Sequence, residues 1–451
     1  MDGRTLVAFL FTCIAGLSSA HAAPETKGGK APVPVQDFMI SIFWAPPSEH
    51  TNDKQYDYLK EAHINVVPCI HPSLAGQADM QRRVLDLAHA RGMKVMVYNP
   101  KRYTDVKAVV ADFKEHPALW GYYLKDEPRL GEFTKYGRMV RDFLKHDPDH
   151  IPFVNMLPAG PGGRRENLPW REFLQKWIDA AGADNLHYLV YDNYPFADLD
   201  QYTDPYVGRG RSHGHIQDYF SDLETIRQCG MANNLMTGLY LQSVGIEKYL
   251  RRPDENDLRW NVYTALAYGI KSIQWFTWWT PTGRDEPFTN AIIDPNGNKT
   301  DLYDVVKKLN AQIKTLGPTL LELDAVEVYH SGVVPEGTKR VPDDYFFKPA
   351  NPDDALLISH MVDSENGRDY IMVVNKDNRS LKKHAKELAL DGPKTLRFRV
   401  SRDITGLTLM SKNTGSSVPM DRKLAHGIFS DSFLPGEGHL YMLPKGDWGG
   451  P

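Results

Sequence analysis

Three cysteines in 451 residues are too few for a disulfide framework, and no Cys/His group has the spacing of a zinc site. Cys13 falls in an N-terminal apolar stretch. Cys69 lies in an apolar strand pattern and Cys229 precedes Gly230 at a helix end, so two buried thiols are expected rather than a disulfide. An excess of one charge is also missing. The 53 Lys and Arg against 57 Asp and Glu leave a formal net charge of −4. No basic patch marks the chain for nucleic acid, and no acidic tail marks it for a charged partner. No apolar run is long enough to span a bilayer. Residues 6–17 come nearest. They follow Arg4 and precede Ala20-His21-Ala22, a small-x-small cleavage pattern. This predicts a signal peptide over 1–22 and a flexible Pro-, Gly- and Lys-rich lead-in over 23–35. The chain is then secreted or periplasmic, with no membrane partner. No motif calls for a metal or a cofactor.

Aromatic residues are plentiful: nine Trp and 22 Tyr. Their ring faces suit the apolar face of a pyranose, and they also fill large cores. From residue 36 onward, strand and helix patterns alternate. Strands are expected over 39–44, 65–70, 94–98, 119–124, 151–156, 186–191, 235–241 and 272–279. Each is followed by a helix pattern, the last over 302–315. Eight such units give the count of an α/β fold of the (β/α)8 TIM-barrel type over 36–320. A doubly wound sheet would carry a Gly-rich phosphate loop after its first strand. Trp44-Ala45-Pro46-Pro47 stands there instead. Beyond residue 320 the texture changes to short runs over 325–329, 355–362, 369–374, 384–390, 395–400, 407–410 and 439–443. Gly, Asn, Asp and Pro turns separate them, which predicts a C-terminal all-β sandwich domain over 321–451.

The barrel part is organised around Leu119-Trp120-Gly121-Tyr122-Tyr123-Leu124-Lys125-Asp126-Glu127-Pro128. An apolar strand ends in two acids, just before a helix. That is the mouth of a barrel strand, where such folds place chemistry. Trp120, Tyr122 and Tyr123 fence the acids and would raise the Glu127 pKa. Helix capping by Asp126 and a helix start at Pro128 explain the same residues without chemistry.

Gly121-Tyr122-Tyr123-x-x-Asp126-Glu127-Pro128, with the 259–280 segment RWNVYTALAYGIKSIQWFTWWT, resembles the clan A glycoside hydrolases. These are (β/α)8 barrels, often with an appended β-sandwich. The resemblance implies that Glu127 is the general acid/base, and it names no family or substrate. In that clan an Asn precedes the Glu, where this chain has Asp126. The clan nucleophile is a Glu at the end of the seventh strand, where this chain has Gln242, and an amide cannot attack a sugar carbon.

A second carboxyl is therefore sought elsewhere. Asp192, in Tyr-Asp-Asn-Tyr-Pro at the end of the sixth strand, is the first candidate. Asp285 and Glu286, after the eighth strand, are the others. The short arm of Asp192 favours the wider spacing of an inverting pair, about 6.5–9.5 Å. Asp126, His71, Asn99, Asn155, Tyr194, Tyr240 and Gln242 fall near strand ends, where groups that bind sugar hydroxyls belong. Trp275 and Trp279 share strand parity and are expected to face inward as a sugar platform, with Trp278 beside them. His213 and His215 lack metal spacing and read as loop residues. The expectation is an exported glycoside hydrolase that uses no cofactor and acts on a poly- or oligosaccharide. The competing reading, prompted by Gln242, is a catalytically silent glycan-binding protein on the same fold.

Overall fold

The computed structural model describes residues 37–100, 103–160, 163, 166–196, 216–378, 392–446 and 448. The signal segment and lead-in, His213, His215 and the strand expected over 384–390 lie outside the described residues.

Eight strands form one sheet: β1 (Met39–Ile42), β2 (Val66–Pro68), β3 (Lys94–Val97), β4 (Leu119–Asp126), β5 (Ile151–Met156), β6 (Tyr188–Asp192), β7 (Met236–Gln242) and β8 (Ser272–Phe276). They pair in parallel in the order β1-β8-β7-β6-β5-β4-β3-β2. The seam between β1 and β2 is closed by Asn65. Its backbone N–H donates to Ile40 O at 3.0 Å. Its side chain accepts from Ile40 N and donates to Phe38 O, both at 2.8 Å. One amide thus replaces two ladder bonds and completes the barrel. Gly121 is required where β4 meets β5, because a Cβ there would lie 2.1 Å from Ile151 O.

The helices α1 (Asp53–Glu61), α2 (Ala78–His89), α3 (Val106–Phe113), α4 (Phe133–His146), α5 (Trp170–Ala181), α6 (Ile216–Asn233), α7 (Glu255–Ala267) and α8 (Leu302–Glu322) surround the sheet. In α4 the buried residues Phe133, Tyr136, Met139, Val140 and Phe143 recur at three- and four-residue spacing and face the strands. Each such side chain contributes about 1.5–3 kcal/mol by burial. α7 differs: every residue from Asp257 to Ala267 is buried. Its outer face is covered by the C-terminal domain.

Two of the departures from the expected boundaries have a visible cause. β8 ends at Phe276, three residues early, because Trp278 N and Trp279 N turn to bond Phe43 O and Trp44 O beyond β1. α8 continues past 315, through Pro318, to Glu322. Its last carbonyls are taken by Lys271 Nζ, 2.5 Å from Leu320 O and 3.2 Å from Leu321 O.

Eleven further strands follow: β9 (Leu323–His330), β10 (Lys339–Arg340), β11 (Phe347–Pro349), β12 (Leu356–Asp363), β13 (Asp369–Asn375), β14 (Lys394–Val400), β15 (Thr408–Met410), β16 (Ser417–Pro419), β17 (Leu424–Ala425), β18 (Ile428–Phe433) and β19 (Gly438–Met442). They form a seven-stranded sheet, β10-β9-β12-β13-β19-β15-β16, and a four-stranded sheet, β11-β14-β18-β17. Phe347, Ile358, Ile371, Val373, Leu396, Phe398, Phe429, Phe433 and Tyr441 share the core of this sandwich. β18 was not expected, because Ser430, Asp431 and Ser432 dilute its apolar alternation. The sandwich is tied to the barrel by Arg259 Nε on Pro435 O at 2.8 Å and Arg227 Nη1 on Ala325 O at 2.6 Å. Gly436, with φ +71°, lets the chain pass Trp260, whose backbone N would lie 2.6 Å from a Cβ. Cys69 and Cys229 are both free and buried. Among the described residues no helix is long and apolar enough to cross a membrane.

Candidate active site

β4 delivers Asp126 and Glu127 to the mouth of the barrel. At Glu127 the chain turns out of the strand with φ +51°, and its N–H still donates to Asn155 O at 2.9 Å. A non-glycine residue in this region costs about 1–3 kcal/mol, and such positions cluster at functional sites.

Asp126 Oδ1 accepts from Tyr123 Oη at 2.9 Å and from Asn155 Nδ2 at 3.0 Å. The same Asn155 nitrogen lies 3.4 Å from Asp192 Oδ1. The Glu127 and Asp192 carboxyl groups hydrogen-bond each other. Tyr240 hydrogen-bonds Tyr123. Tyr123 already gives its proton to Asp126, so Tyr240 is the donor in that pair. Four strands, β4 to β7, thus contribute to one continuous network.

Burial and neighbouring charge act together on these acids. Burial, then the Asp126 charge, push the Glu127 carboxyl up to about 7, against the hydrogen bond from Asp192. Burial, then Glu127 and Asp126, push Asp192 well above the usual carboxylate range. Asp126 is also raised, chiefly by burial, with the bonds from Asn155 and Tyr123 opposing. A hydrogen bond between two carboxyl groups requires a proton, so Glu127 and Asp192 share one near neutrality. Among the described residues no group of three or more His, Cys, Asp or Glu is arranged to hold a metal ion.

Around the acids the wall is aromatic. Tyr194 stacks on Phe276 with ring centres 4.5 Å apart. Phe43 meets Phe276 at 5.5 Å and Tyr240 at 5.7 Å. Tyr98 stands edge-on to Tyr123 at 5.7 Å, near enough to Asp126 for that charge to raise its hydroxyl. Phe43, Tyr98 and Phe276 were not singled out in the sequence. Their signal is strand parity near the C-terminal ends of β1, β3 and β8.

The structure redistributes the expected site residues. Asp126, Glu127, Asn155, Asp192, Tyr194 and Tyr240 come together. Asn99 is fully buried at the end of β3, and neither side-chain amide atom has a partner. His71 is partly exposed on the rim near β1 and β2.

Three expectations are corrected. Gln242 is spent on the loops: Oε1 accepts from Phe196 N at 3.0 Å, and Nε2 donates to Val244 O at 3.1 Å and Arg251 O at 3.0 Å. Trp275 faces outward, with Nε1 on Asn310 Oδ1 of α8 at 2.9 Å. Trp279 is buried against His50, ring centres 4.7 Å apart, so the inward aromatic of β8 is Phe276.

The fence around the acids is also narrower than expected. Tyr122 points away to Asp147, 2.5 Å from Oδ2, and Trp120 packs on Phe153 and Tyr188. Only Tyr123 meets the acids. Asp285 and Glu286 lie on an exposed loop, with Glu286 3.3 Å from Arg284.

Residues 163–316 match the family model described as β-galactosidase, Glyco_hydro_42. No curated protein matches the chain. Among solved structures, a β-galactosidase from Bacillus circulans sp. alkalophilus is 9% identical, with 92% of this chain and 100% of that chain covered and a TM-score of 0.55. A glycoside hydrolase family 5 protein from Bacteroides vulgatus is 12% identical, with 92% and 90% covered and a TM-score of 0.52. A β-galactosidase from the psychrophilic Marinomonas ef1 is 13% identical over 63% of this chain, at a TM-score of 0.44. The chain spans 62% of that protein's length and 58% of that of a Halorubrum lacusprofundi β-galactosidase. At these identities the likeness establishes the fold. That fold is a (β/α)8 barrel with an appended β domain.

Proposed function

We propose that the chain is an exported glycoside hydrolase that cleaves glycosidic bonds of a poly- or oligosaccharide, with Glu127 as general acid/base. The observation that carries this reading is Glu127 buried at the barrel mouth beside Asp126 and Asp192. Burial and the Asp126 charge push it up to about 7, so it keeps a proton near neutrality, as a general acid must. Glu127 gives that proton to the leaving oxygen as the bond breaks. Asp192 and Asp126 then present negative charge to the oxocarbenium-like centre. Water adds to the sugar and returns a proton to the pair. Retaining pairs stand about 5–5.5 Å apart and inverting pairs about 6.5–9.5 Å. The hydrogen bond between Glu127 and Asp192 has to open for a sugar to enter between the two carboxyl groups. Export rests on the Ala20-His21-Ala22 pattern, and the secreted chain should begin at Ala23.

One observation favours the second reading, a glycan-binding protein without turnover. It is the amide at position 242, committed to the loops where the clan carries its nucleophile. Turnover of aryl glycosides and neutral polysaccharides by the parent chain and by Glu127→Gln separates the two. Hydrolysis that is lost in Glu127→Gln while the fold is kept supports the hydrolase. Sugar binding without turnover in both supports the binder.

A further inference from the structure

We propose that His71 is the specificity-determining hydrogen-bond donor of a sugar subsite on the rim near β1 and β2, apart from the cleavage centre. This deepens the function proposed above and rests on it.

The argument starts from the tautomer. Ser73 N–H donates to His71 Nδ1 at 3.2 Å, and a backbone amide can only donate. Ser73 Oγ lies 2.8 Å from the same nitrogen. That hydroxyl accepts Ser48 N–H at 2.9 Å, which leaves its own proton for Nδ1. Two donors therefore converge on Nδ1, and the ring proton must sit on Nε2. Among the described residues Nε2 has no hydrogen-bond partner, and it is not among the buried polar atoms that lack one. It therefore reaches solvent at the mouth as an unused donor.

The surroundings keep that donor neutral and hold it in place. Burial pushes the imidazole down to about 4, against the attraction of Glu49. Protonation would set an Nδ1–H against the two donors from Ser73. Trp44, held at φ +60°, packs edge-on to the ring at 5.1 Å. The Arg284 guanidinium covers Trp44 at 5.8 Å from an exposed loop, where a sugar ring could take its place. The Glu49 carboxylate, held low by a backbone hydrogen bond, adds an ionised acceptor beside the imidazole donor. A fixed donor with an ionised acceptor nearby suits a sugar hydroxyl, which accepts and donates at once. His71 follows β2, two strands round the barrel from Glu127 on β4 and four from Asp192 on β6. The subsite therefore lies to one side of the cleavage centre and takes a sugar unit beyond the bond being cut.

The test has two arms on the full chain. In ¹⁵N-histidine NMR at pH 7, His71 should appear as the neutral Nε2–H tautomer. A proton on Nδ1 overturns the proposal. In the second arm, neutral galactan, glucan and xylan oligosaccharides of two to six units are titrated against the Glu127→Gln chain. His71→Phe on that background should weaken binding of the longer chains about tenfold, the order expected for losing one hydrogen bond. Binding of monosaccharide aryl glycosides should not change. His71→Gln, whose amide nitrogen reaches the position of Nε2, should restore long-chain binding, and His71→Asn should not. Equal binding of long chains by His71→Phe overturns the proposal and leaves the hydrolase reading standing. Failure of the parent chain to bind or cleave any of these glycans overturns both.

Discussion

Replacing Asp126 with Asn changes one charge and little else. Asp126 uses a single oxygen, Oδ1, to accept from both Tyr123 and Asn155. The amide oxygen of an Asn can accept the same two bonds, so the network should survive. What disappears is the negative charge that, after burial, does most to raise Glu127. A neighbouring carboxylate shifts an acid by about 1–3 units, and Lys125 and Arg129 already offset part of it here. The low end, about one unit or about 1.4 kcal/mol, is therefore the expected change. The acid must be protonated to work, so the alkaline limb of kcat/KM reports its pKa in the free enzyme. In the parent that limb should fall near pH 7. In Asp126→Asn it should fall about one unit lower. At pH 8 the protonated fraction then drops about tenfold, whereas at pH 5 it barely changes. The assay is kcat/KM against pH on one aryl glycoside for both chains. An unmoved limb, a limb moved upward, or an equal loss at every pH would refute the electrostatic account of Glu127.

Other perturbations follow from the same contacts. Gln242→Glu restores the clan's residue type but should give no gain in turnover. It should destabilise the fold by about 2–4 kcal/mol, because Val244 O and Arg251 O lose their donor and face a carboxylate. Urea unfolding measures the cost, and a more active variant would contradict the loop assignment. Asn65→Ala opens the β1–β2 seam and should cost about 1–3 kcal/mol, read by the same method. Lys376 Nζ is buried between His330 Nδ1 and Val333 O, both at 2.9 Å, and burial pushes it down to about 7. Between that value and its ordinary 10.5, the unfolded chain binds a proton that the folded chain does not, so stability should rise with pH. From pH 7.5 to 9 the parent should gain about 2 kcal/mol relative to Lys376→Met. A flat difference would show that Lys376 stays charged in the fold.

Legibility from sequence followed what periodicity can report. Parallel strands buried on both faces are continuous apolar runs, and amphipathic helices repeat every three to four residues. That is why β5 was read with the bounds the structure has. The carboxyls at strand ends were legible too, because Asp126, Glu127 and Asp192 each follow an apolar strand. What the sequence did not carry was side-chain direction. Parity counted from Trp275 pointed the wrong way, because the register of β8 is set by pairing with β1 and β7 rather than by its aromatics. It puts Gln274 and Phe276 on the inner face. Gln242 sits at the right strand end, yet its partners lie in loops that no local pattern reveals. Phe43 and Tyr98 were missed for the converse reason: they look like ordinary core until the barrel closes.

The two departures from the clan pattern are better understood together than singly. Where the clan has a carboxylate, the end of β7 carries the amide of Gln242, and where the clan has an amide, β4 carries the carboxylate of Asp126. An acid at 242 would sit among carbonyl oxygens of the β7–α7 loop, which demand donors. The carboxylate at 126 sits instead among donors, Tyr123 and Asn155, which favour its charged form. Charge at the mouth has thereby moved from the β7 side to the β4–β6 side. There Asn155 joins Asp126 to Asp192, and Asp192 touches Glu127. Asp126 raises both Glu127 and Asp192, and Glu127 raises Asp192, so a proton held within the group lowers the cost of keeping three acids in one cleft. Part of what keeps Glu127 protonated therefore depends on the carboxylate at 126. A chain carrying both Asp126→Asn and Asp192→Asn loses the charge that raises Glu127 and the hydrogen bond that lowers it, and keeps the burial that raises it most, so Glu127 should still titrate above the ordinary carboxylate range. A Glu127 carboxyl that titrates at the ordinary value in that double variant, read by ¹³C NMR, would show that burial does not hold its proton.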